Sequence, residues 1–143
     1  MPELCVDASV AIKFVVTEAD SDKALALLHD SRINSVLLIA PPLFHSELDS
    51  CVRQRVYNGT ITREQGKKVY AALDIIIVEI VEPYDLRQKA RDVAEQFNQK
   101  LVYDSQYAAL AALRGCELWT ADTRFHRVVK NDLLFVKHIM DDI

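Results

Sequence analysis

The sequence predicts an α/β protein, a three-layer α/β/α arrangement around a mainly parallel sheet, and two observations carry that prediction. Strand-length apolar runs alternate with longer helical stretches along the chain, the pattern of consecutive βαβ units with helices on both sheet faces. Gly and Pro number only three and four in 143 residues, which leaves little room for long flexible linkers. Residues 1–143 therefore read as a single domain large enough to bury a core.

Leu4-Cys5-Val6 is a short buried strand, followed by a helix from Ser9 to Val16. Asp20-Ser21 supplies good capping residues for a helix reaching His29. Val36 to Ala40 is the second strand. Pro41-Pro42 suits a helix start, where a missing N–H costs nothing, and that helix runs to Asn58-Gly59. Thr60 or Thr62 caps the next one, which ends at Leu73. Ile75 to Val81, rich in β-branched residues, predicts a third strand. Helices over Tyr84 to Asn98 and Ser105 to Arg114 come next, the second with Gly115 as its C-terminal cap. Strands Glu117 to Thr120 and Leu134 to Lys137 flank a short helix after Asp122. There is no internal repeat and no low-complexity tract.

Half the residues are hydrophobic and 27% are charged, ordinary for a globular protein. No apolar run approaches the roughly 20 residues of a membrane span. Met1-Pro2-Glu3-Leu4 lacks the basic stretch and long apolar core of a signal peptide, which predicts a cytoplasmic protein. Cys5, Cys51 and Cys116 are an odd count without a C-x-x-C pair, against both a disulfide framework and a zinc site. They read as buried, inert thiols. The net charge of −4 does not advertise nucleic-acid binding, since most such domains are basic. If several carboxylates are gathered into a metal site, however, the sum misleads. The position of Lys and Arg relative to that site then matters more.

Ligands of parallel α/β sheets bind beyond the carboxyl ends of the strands. Asp7 follows the first strand immediately and Asp122 follows Thr120 by two residues, so two acids reach one rim. Each also sits where a helix begins, and helix capping explains either residue alone. Glu47 resists that explanation. It lies at i+3 from Phe44, on the apolar stripe that Phe44, Leu48 and Cys51 form, so a carboxylate points inward and needs a partner or a metal. Asp49 falls off the stripe and reads as solvated. Asp104 shares a helical face with Tyr107, Ala108 and Ala111, with N-capping by Asp104 or Ser105 as the alternative. Four acids at one rim repel each other, and the ordinary remedy is a hard divalent cation such as Mg²⁺ or Mn²⁺, which takes oxygen ligands and keeps several waters. His29, His45, His126 and His138 are scattered and read as surface or structural residues.

Four segments carry a resemblance. Val6-Asp7-Ala8-Ser9-Val10-Ala11-Ile12-Lys13, Pro42 through Glu47, Tyr103-Asp104-Ser105-Gln106-Tyr107-Ala108-Ala109-Leu110-Ala111, and Leu118-Trp119-Thr120-Ala121-Asp122-Thr123-Arg124-Phe125 resemble the PIN-domain family, most closely its VapC-type toxin ribonucleases. The resemblance implies a sandwich with the first strand central and Mg²⁺- or Mn²⁺-dependent endonuclease activity on RNA. It implies that Asp7, Glu47, Asp104 and Asp122 hold metal and activate water, with Ser9 and Thr120 as supporting hydroxyls. It also implies a homodimer and a small VapB-type antitoxin, which wraps the helices near the site and places a basic side chain among the carboxylates. The hairpin of the Pro42–Asn58 and Thr62–Leu73 helices is the natural surface for it.

An RNA substrate needs cations beside the acidic rim. Lys13 and Arg124 are the best placed in sequence, with Arg53, Arg55 and Arg127 behind them. Solvated surface charge is the alternative for each, and core packing the alternative to base stacking for Tyr107 and Trp119. A phosphoacceptor receiver domain would need paired acids after the first strand, where Asp7 stands alone, and a phosphorylatable Asp after the third, which ends Glu79-Ile80-Val81-Glu82-Pro83. A D-x-D phosphatase fails likewise at Asp7-Ala8-Ser9. A binding-only module of the same fold would tolerate losing acids, and all four are present.

Overall fold

A computed structural model describes residues 1–140. Strand β1 (Glu3–Val6) leads into α1 (Ala8–Ala11) and a 3₁₀ turn at Ile12–Phe14. Then come α2 (Ser21–Ile33), β2 (Leu37–Ala40), α3 (Phe44–Tyr57), α4 (Arg63–Leu73) and β3 (Glu79–Ile80). The described part closes with α5 (Leu86–Gln96), α6 (Tyr103–Arg114), β4 (Leu118–Thr120), α7 (Thr123–Val129) and β5 (Val136–His138). All strands pair in parallel, in the order β3-β2-β1-β4-β5, so β1 is central as the family resemblance implied. Successive strand residues face opposite ways, yet Cys5 and Val6 are both 0% exposed, as are Ile39 and Ala40. Both faces are therefore covered, which makes the three-layer α/β/α sandwich.

The third strand departs most from the sequence expectation. Of Ile75 to Val81 only Glu79 and Ile80 pair, with β2 through Ile39 and Ala40. Ile75 and Ile77 lie 77% and 80% exposed. The run has β-branched residues but only one neighbouring strand, and β propensity expresses side-chain packing against neighbours more than backbone preference. Other differences are local. The first predicted helix divides into α1 and the 3₁₀ turn, and α2 continues past His29 to Ile33, where Ser31 donates back to the Leu27 carbonyl at 2.9 Å. The helix expected from Tyr84 begins at Leu86, leaving Tyr84 fully exposed.

Capping chemistry fixes the α3–α4 hairpin. Gly59 takes the left-handed conformation (φ +74°) that turns the chain. Thr62 and Gln65 then form a reciprocal capping box: the Thr62 hydroxyl accepts the Gln65 N–H and the Gln65 side chain accepts the Thr62 N–H. Where the two helices meet, Gly66 permits the approach, because a Cβ there would stand 2.6 Å from Val56 Cγ2. Ala exceeds Gly in helix propensity by about 1 kcal/mol, but Val is held at one χ1 rotamer in a helix and overpacking costs about 1–3 kcal/mol. Gly66→Ala is therefore expected to lower the thermal midpoint by a few degrees, with Val56→Ala in the same chain returning part of the loss. A midpoint above wild type in the single variant would show that this contact yields without strain.

Among the described residues no helix is long and apolar enough to cross a membrane.

Candidate active site

Parallel strands end on one edge of the sheet, and the residues that follow β1 and β4 meet there. Asp7 caps α1: its Oδ1 accepts the Val10 N–H at 3.1 Å and the Ser9 hydroxyl at 2.6 Å. The Thr120 hydroxyl, at the end of β4, donates to Asp7 Oδ2 and accepts the Asp122 N–H at 2.9 Å. Ser9 Oγ in turn accepts the Ala121 N–H at 2.9 Å. Two hydroxyls thus stitch the β1–α1 junction to the β4–α7 junction and hold the Asp7 carboxylate between them. Ser9 and Thr120 therefore sit beside the acids, bonded to Asp7 and to the backbone leading into Asp122.

Asp122 caps α7 through Oδ1, which accepts the Phe125 N–H at 3.0 Å. The capping reading holds for both Asp7 and Asp122, and it leaves Asp122 Oδ2 without a protein donor among the described residues. For Asp104 it does not hold. The helix starts at Tyr103 with Val102 at the cap and no side-chain cap bond, and Asp104 lies in the first turn. Ser105 does not cap either; its Oγ is fully buried with no hydrogen-bond partner among the described residues.

Glu47 occupies the first turn of α3. The deepest stripe of that helix is Phe44, Leu48 and Val52, and Glu47 and Cys51 lie beside it, half-buried. Tyr107, only 2% exposed, donates its hydroxyl to Glu47 Oε1 at 2.6 Å. Tyr107 and Trp119 are thus core residues, and Tyr107 orients a carboxylate besides. The signal was available in the sequence, because Tyr107 is three residues after Asp104 on the same face of α6.

These segments enclose a cavity of about 550 Å³ lined by Asp7, Ser9, Glu47, Tyr103, Asp104, Tyr107 and Asp122, with Ser46, Ser50, Cys51 and Gln54 along α3. All four acids expected from the sequence reach it. Each sits at the start of a helix, where the macrodipole favours negative charge. At Asp7, Asp104 and Glu47 desolvation outweighs it. Burial pushes the Asp7 carboxyl up to about 6 against the pull of bonds from Ser9, Thr120 and Val10, and the Asp122 charge adds to the rise. Asp104 is also raised to about 6, by burial first and then by repulsion from Asp122 and Asp7. Burial raises Glu47 as well, with the Tyr107 hydrogen bond opposing it and the Asp104 charge adding to it.

The donor set suits a hard cation. It is all oxygen, its members repel one another, and among the described residues Asp104 and Asp122 Oδ2 have no hydrogen-bond donor. Among the described residues no three His, Cys, Asp or Glu side chains converge to enclose an ion by themselves. That arrangement fits an ion that keeps several waters and takes one or two carboxylates, and it does not fit a closed zinc cage. The histidines stand elsewhere: His29 and His45 are exposed, while His126 and His138 are buried with ring centroids 5.3 Å apart. Cys5 is buried as expected, but Cys51 and Cys116 are only half-buried, and Cys51 lines the cavity.

The cations expected near the rim are placed unequally. Arg124 is exposed on α7, two residues past Asp122, and Arg53 and Arg127 are exposed too. Lys13 and Arg55 both bind Glu18, which the sequence did not single out.

The fold is that of solved proteins of low sequence identity. The structure of VapBC2 from Rickettsia felis, bound to a DNA fragment from their promoter, matches with a TM-score of 0.66 at 15% identity, over 95% of this chain and 98% of that one. PAE2754 from Pyrobaculum aerophilum matches with a TM-score of 0.66 at 20% identity, over 97% of this chain and 92% of that one. No curated protein matches the chain. Residues 4–131 match the model of the PIN domain, a span that takes in all four acids, and the chain belongs to the PIN-domain family.

Proposed function

We propose that this chain is a divalent-metal-dependent endoribonuclease and the toxin of a toxin–antitoxin pair. One observation carries the catalytic reading: acids from four separate segments, Asp7, Glu47, Asp104 and Asp122, line a single cavity at the carboxyl edge of a parallel sheet. The family is one of nucleases, which supports phosphodiester hydrolysis as the reaction class.

The four acids would form a site for Mg²⁺ or Mn²⁺, one or two of them binding the ion directly and the others through its waters. Such an ion, when bound, polarises a phosphate and lowers the pKa of water. The chain's own groups divide the remaining work. Ser9 and Thr120 keep Asp7 in one rotamer through its two oxygens. Tyr107 does the same for Glu47, leaving Glu47 Oε2 directed by a fixed partner. Asp104 accepts no hydrogen bond from the described residues and has a carboxyl raised to about 6, so its oxygens are suited to take the proton of an attacking water near neutral pH. The water oxygen bonds to phosphorus, the bond from phosphorus to the leaving sugar oxygen breaks, and solvent protonates that oxygen. Arg124 and Lys13 supply positive charge to the RNA backbone.

A VapB-type antitoxin partner is supported by the likeness to VapBC2, and the α3–α4 hairpin beside the cavity is the surface we assign to it. The homodimer and the cytoplasmic location belong to the same reading. Purified protein is expected to cut labelled single-stranded or structured RNA internally with Mg²⁺ or Mn²⁺, and to stop on addition of EDTA. Cleavage that persists in EDTA would overturn the metal-dependent reading, and absence of RNA cleavage with either ion would overturn the nuclease reading.

A further inference from the structure

Beyond the acids lies a second charged cluster. Arg55, near the end of α3, binds Glu18 side-on: its Nε donates to Oε2 at 2.9 Å and its Nη2 to Oε1 at 3.0 Å. Lys13 Nζ donates to the same Oε1 at 3.3 Å. A third guanidinium N–H donates to the Cys51 carbonyl at 2.9 Å. Glu18 is itself anchored, since its N–H donates to Ser21 Oγ at 2.9 Å and that hydroxyl donates to the Val16 carbonyl.

None of the three charged residues lines the cavity itself, but the cluster adjoins residues that do, through the Arg55 bond to the Cys51 carbonyl. Ser9 lines the cavity and Lys13 follows by four residues; Cys51 lines it and Arg55 follows by four residues on α3. Arg55 is eight residues past Glu47, about 12 Å along the helix axis, which is farther than one phosphate reaches. Two cations and one anion leave a net positive charge there. Of the five guanidinium donors three are used, and of the three ammonium donors one is used, so each cation retains two. The side chains of Lys13 and Arg55 are 15% and 23% exposed, fixed yet accessible from solvent. Glu18 offsets the repulsion between the two cations and sets the plane of the guanidinium.

We propose that Lys13 and Arg55 form a binding subsite for an RNA phosphate flanking the scissile bond, with Glu18 as the counter-charge that keeps the two cations together and lowers their net charge. The proposal rests on the reading of the cavity as an RNA-cleaving site. Glu18 cancels one of the two positive charges, so removing its charge raises the positive potential that RNA meets.

The discriminating experiment compares signs. Binding of a fluorescein-labelled single-stranded RNA is measured by anisotropy in EDTA across a range of KCl concentrations, with cleavage in Mg²⁺ measured in parallel. Lys13→Ala and Arg55→Ala are each expected to weaken binding roughly fivefold or more and to reduce the salt slope by about one. Arg55→Lys keeps the charge and is expected to retain the slope. Glu18→Gln is expected to tighten binding by a similar factor. All of these variants lower thermal stability if the cluster is merely a brace between the 3₁₀ turn and α3, so stability does not separate the two roles; the opposite sign of Glu18→Gln does. Weaker binding in Glu18→Gln, or unchanged binding in the folded Lys and Arg variants of a protein that binds and cuts RNA, overturns the subsite and leaves the nuclease reading intact. Failure of the wild type to bind or cut RNA overturns both.

Discussion

Asp104→Asn is expected to remove RNA cleavage, by a factor of about 100 to 10,000, while making the metal-free protein more stable at neutral pH. The two effects have one origin. Asp104 is placed in the first turn of α6 with no hydrogen-bond donor among the described residues, facing the charges of Asp122 and Asp7. Keeping it ionised at pH 7 costs stability, on the order of 1 kcal/mol after allowance for its partial exposure. An amide of the same shape lifts that cost, so the midpoint in EDTA is expected to rise by about 2–4 °C at pH 7. Near pH 4 the gain disappears, because the carboxyl is already neutral. Asp7→Asn is not an equivalent experiment. Asp7 accepts from Ser9, Val10 and Thr120, and an amide nitrogen at Oδ2 would face the Thr120 hydroxyl. Substantial cleavage by Asp104→Asn would remove Asp104 from the reaction. A lower midpoint in EDTA at pH 7 would show that the residue is structural.

How much of this site the sequence revealed depended on whether a local period exposed it. Glu47 was legible because a carboxylate beside an apolar helical stripe conflicts with the rest of its face. Asp7 and Asp122 were legible as caps from their positions alone, and they do cap α1 and α7; their meeting at one cavity follows from the parallel pairing of β1 with β4, which a one-dimensional pattern does not contain. Asp104 was ambiguous between cap and ligand until the helix start at Tyr103 removed the cap. The Glu18–Arg55 pair was invisible, since its partners lie 37 residues apart and neither residue breaks a local rule. For the fold, the alternation of runs gave the class and the strand number, whereas Ile75 to Val81 misled because the sheet edge pairs only Glu79 and Ile80 of it. Propensity records what a strand can be; the number of neighbours decides how much of it forms.

In the absence of divalent cations the wild-type protein is expected to lose stability as pH rises from about 4 to 7, and Mg²⁺ or Mn²⁺ is expected to return it. Asp7 and Asp104 both have folded-state values raised from 3.8 to about 6. A raised carboxyl binds its proton more tightly in the folded than in the unfolded chain, so its contribution is fully present below about 4 and is lost as pH passes through about 6. For the buried Asp7 the loss amounts to about 3 kcal/mol, and Asp104 and Glu47 add to it in the same direction. Glu18 runs the other way. Its carboxyl is lowered from 4.5, first by the hydrogen bond from Arg55, so its contribution fails as pH falls below the ordinary glutamate range. The two trends draw the optimum of the metal-free protein toward acid pH. A cation that binds only the folded, ionised site stabilises by mass action at pH 7 and loses its hold near pH 4, where the acids are protonated. Thermal melts from pH 4 to 8, in EDTA and in excess Mg²⁺, read both effects, with an expected fall on the order of 10 °C in EDTA that Mg²⁺ largely reverses. A flat profile in EDTA would mean that the acids ionise without penalty and that repulsion gives the cation nothing to relieve. A profile that falls as expected but ignores Mg²⁺ and Mn²⁺ would separate the acidic cavity from metal binding, because the same charges that burden the empty site are the ones a hard cation must bind.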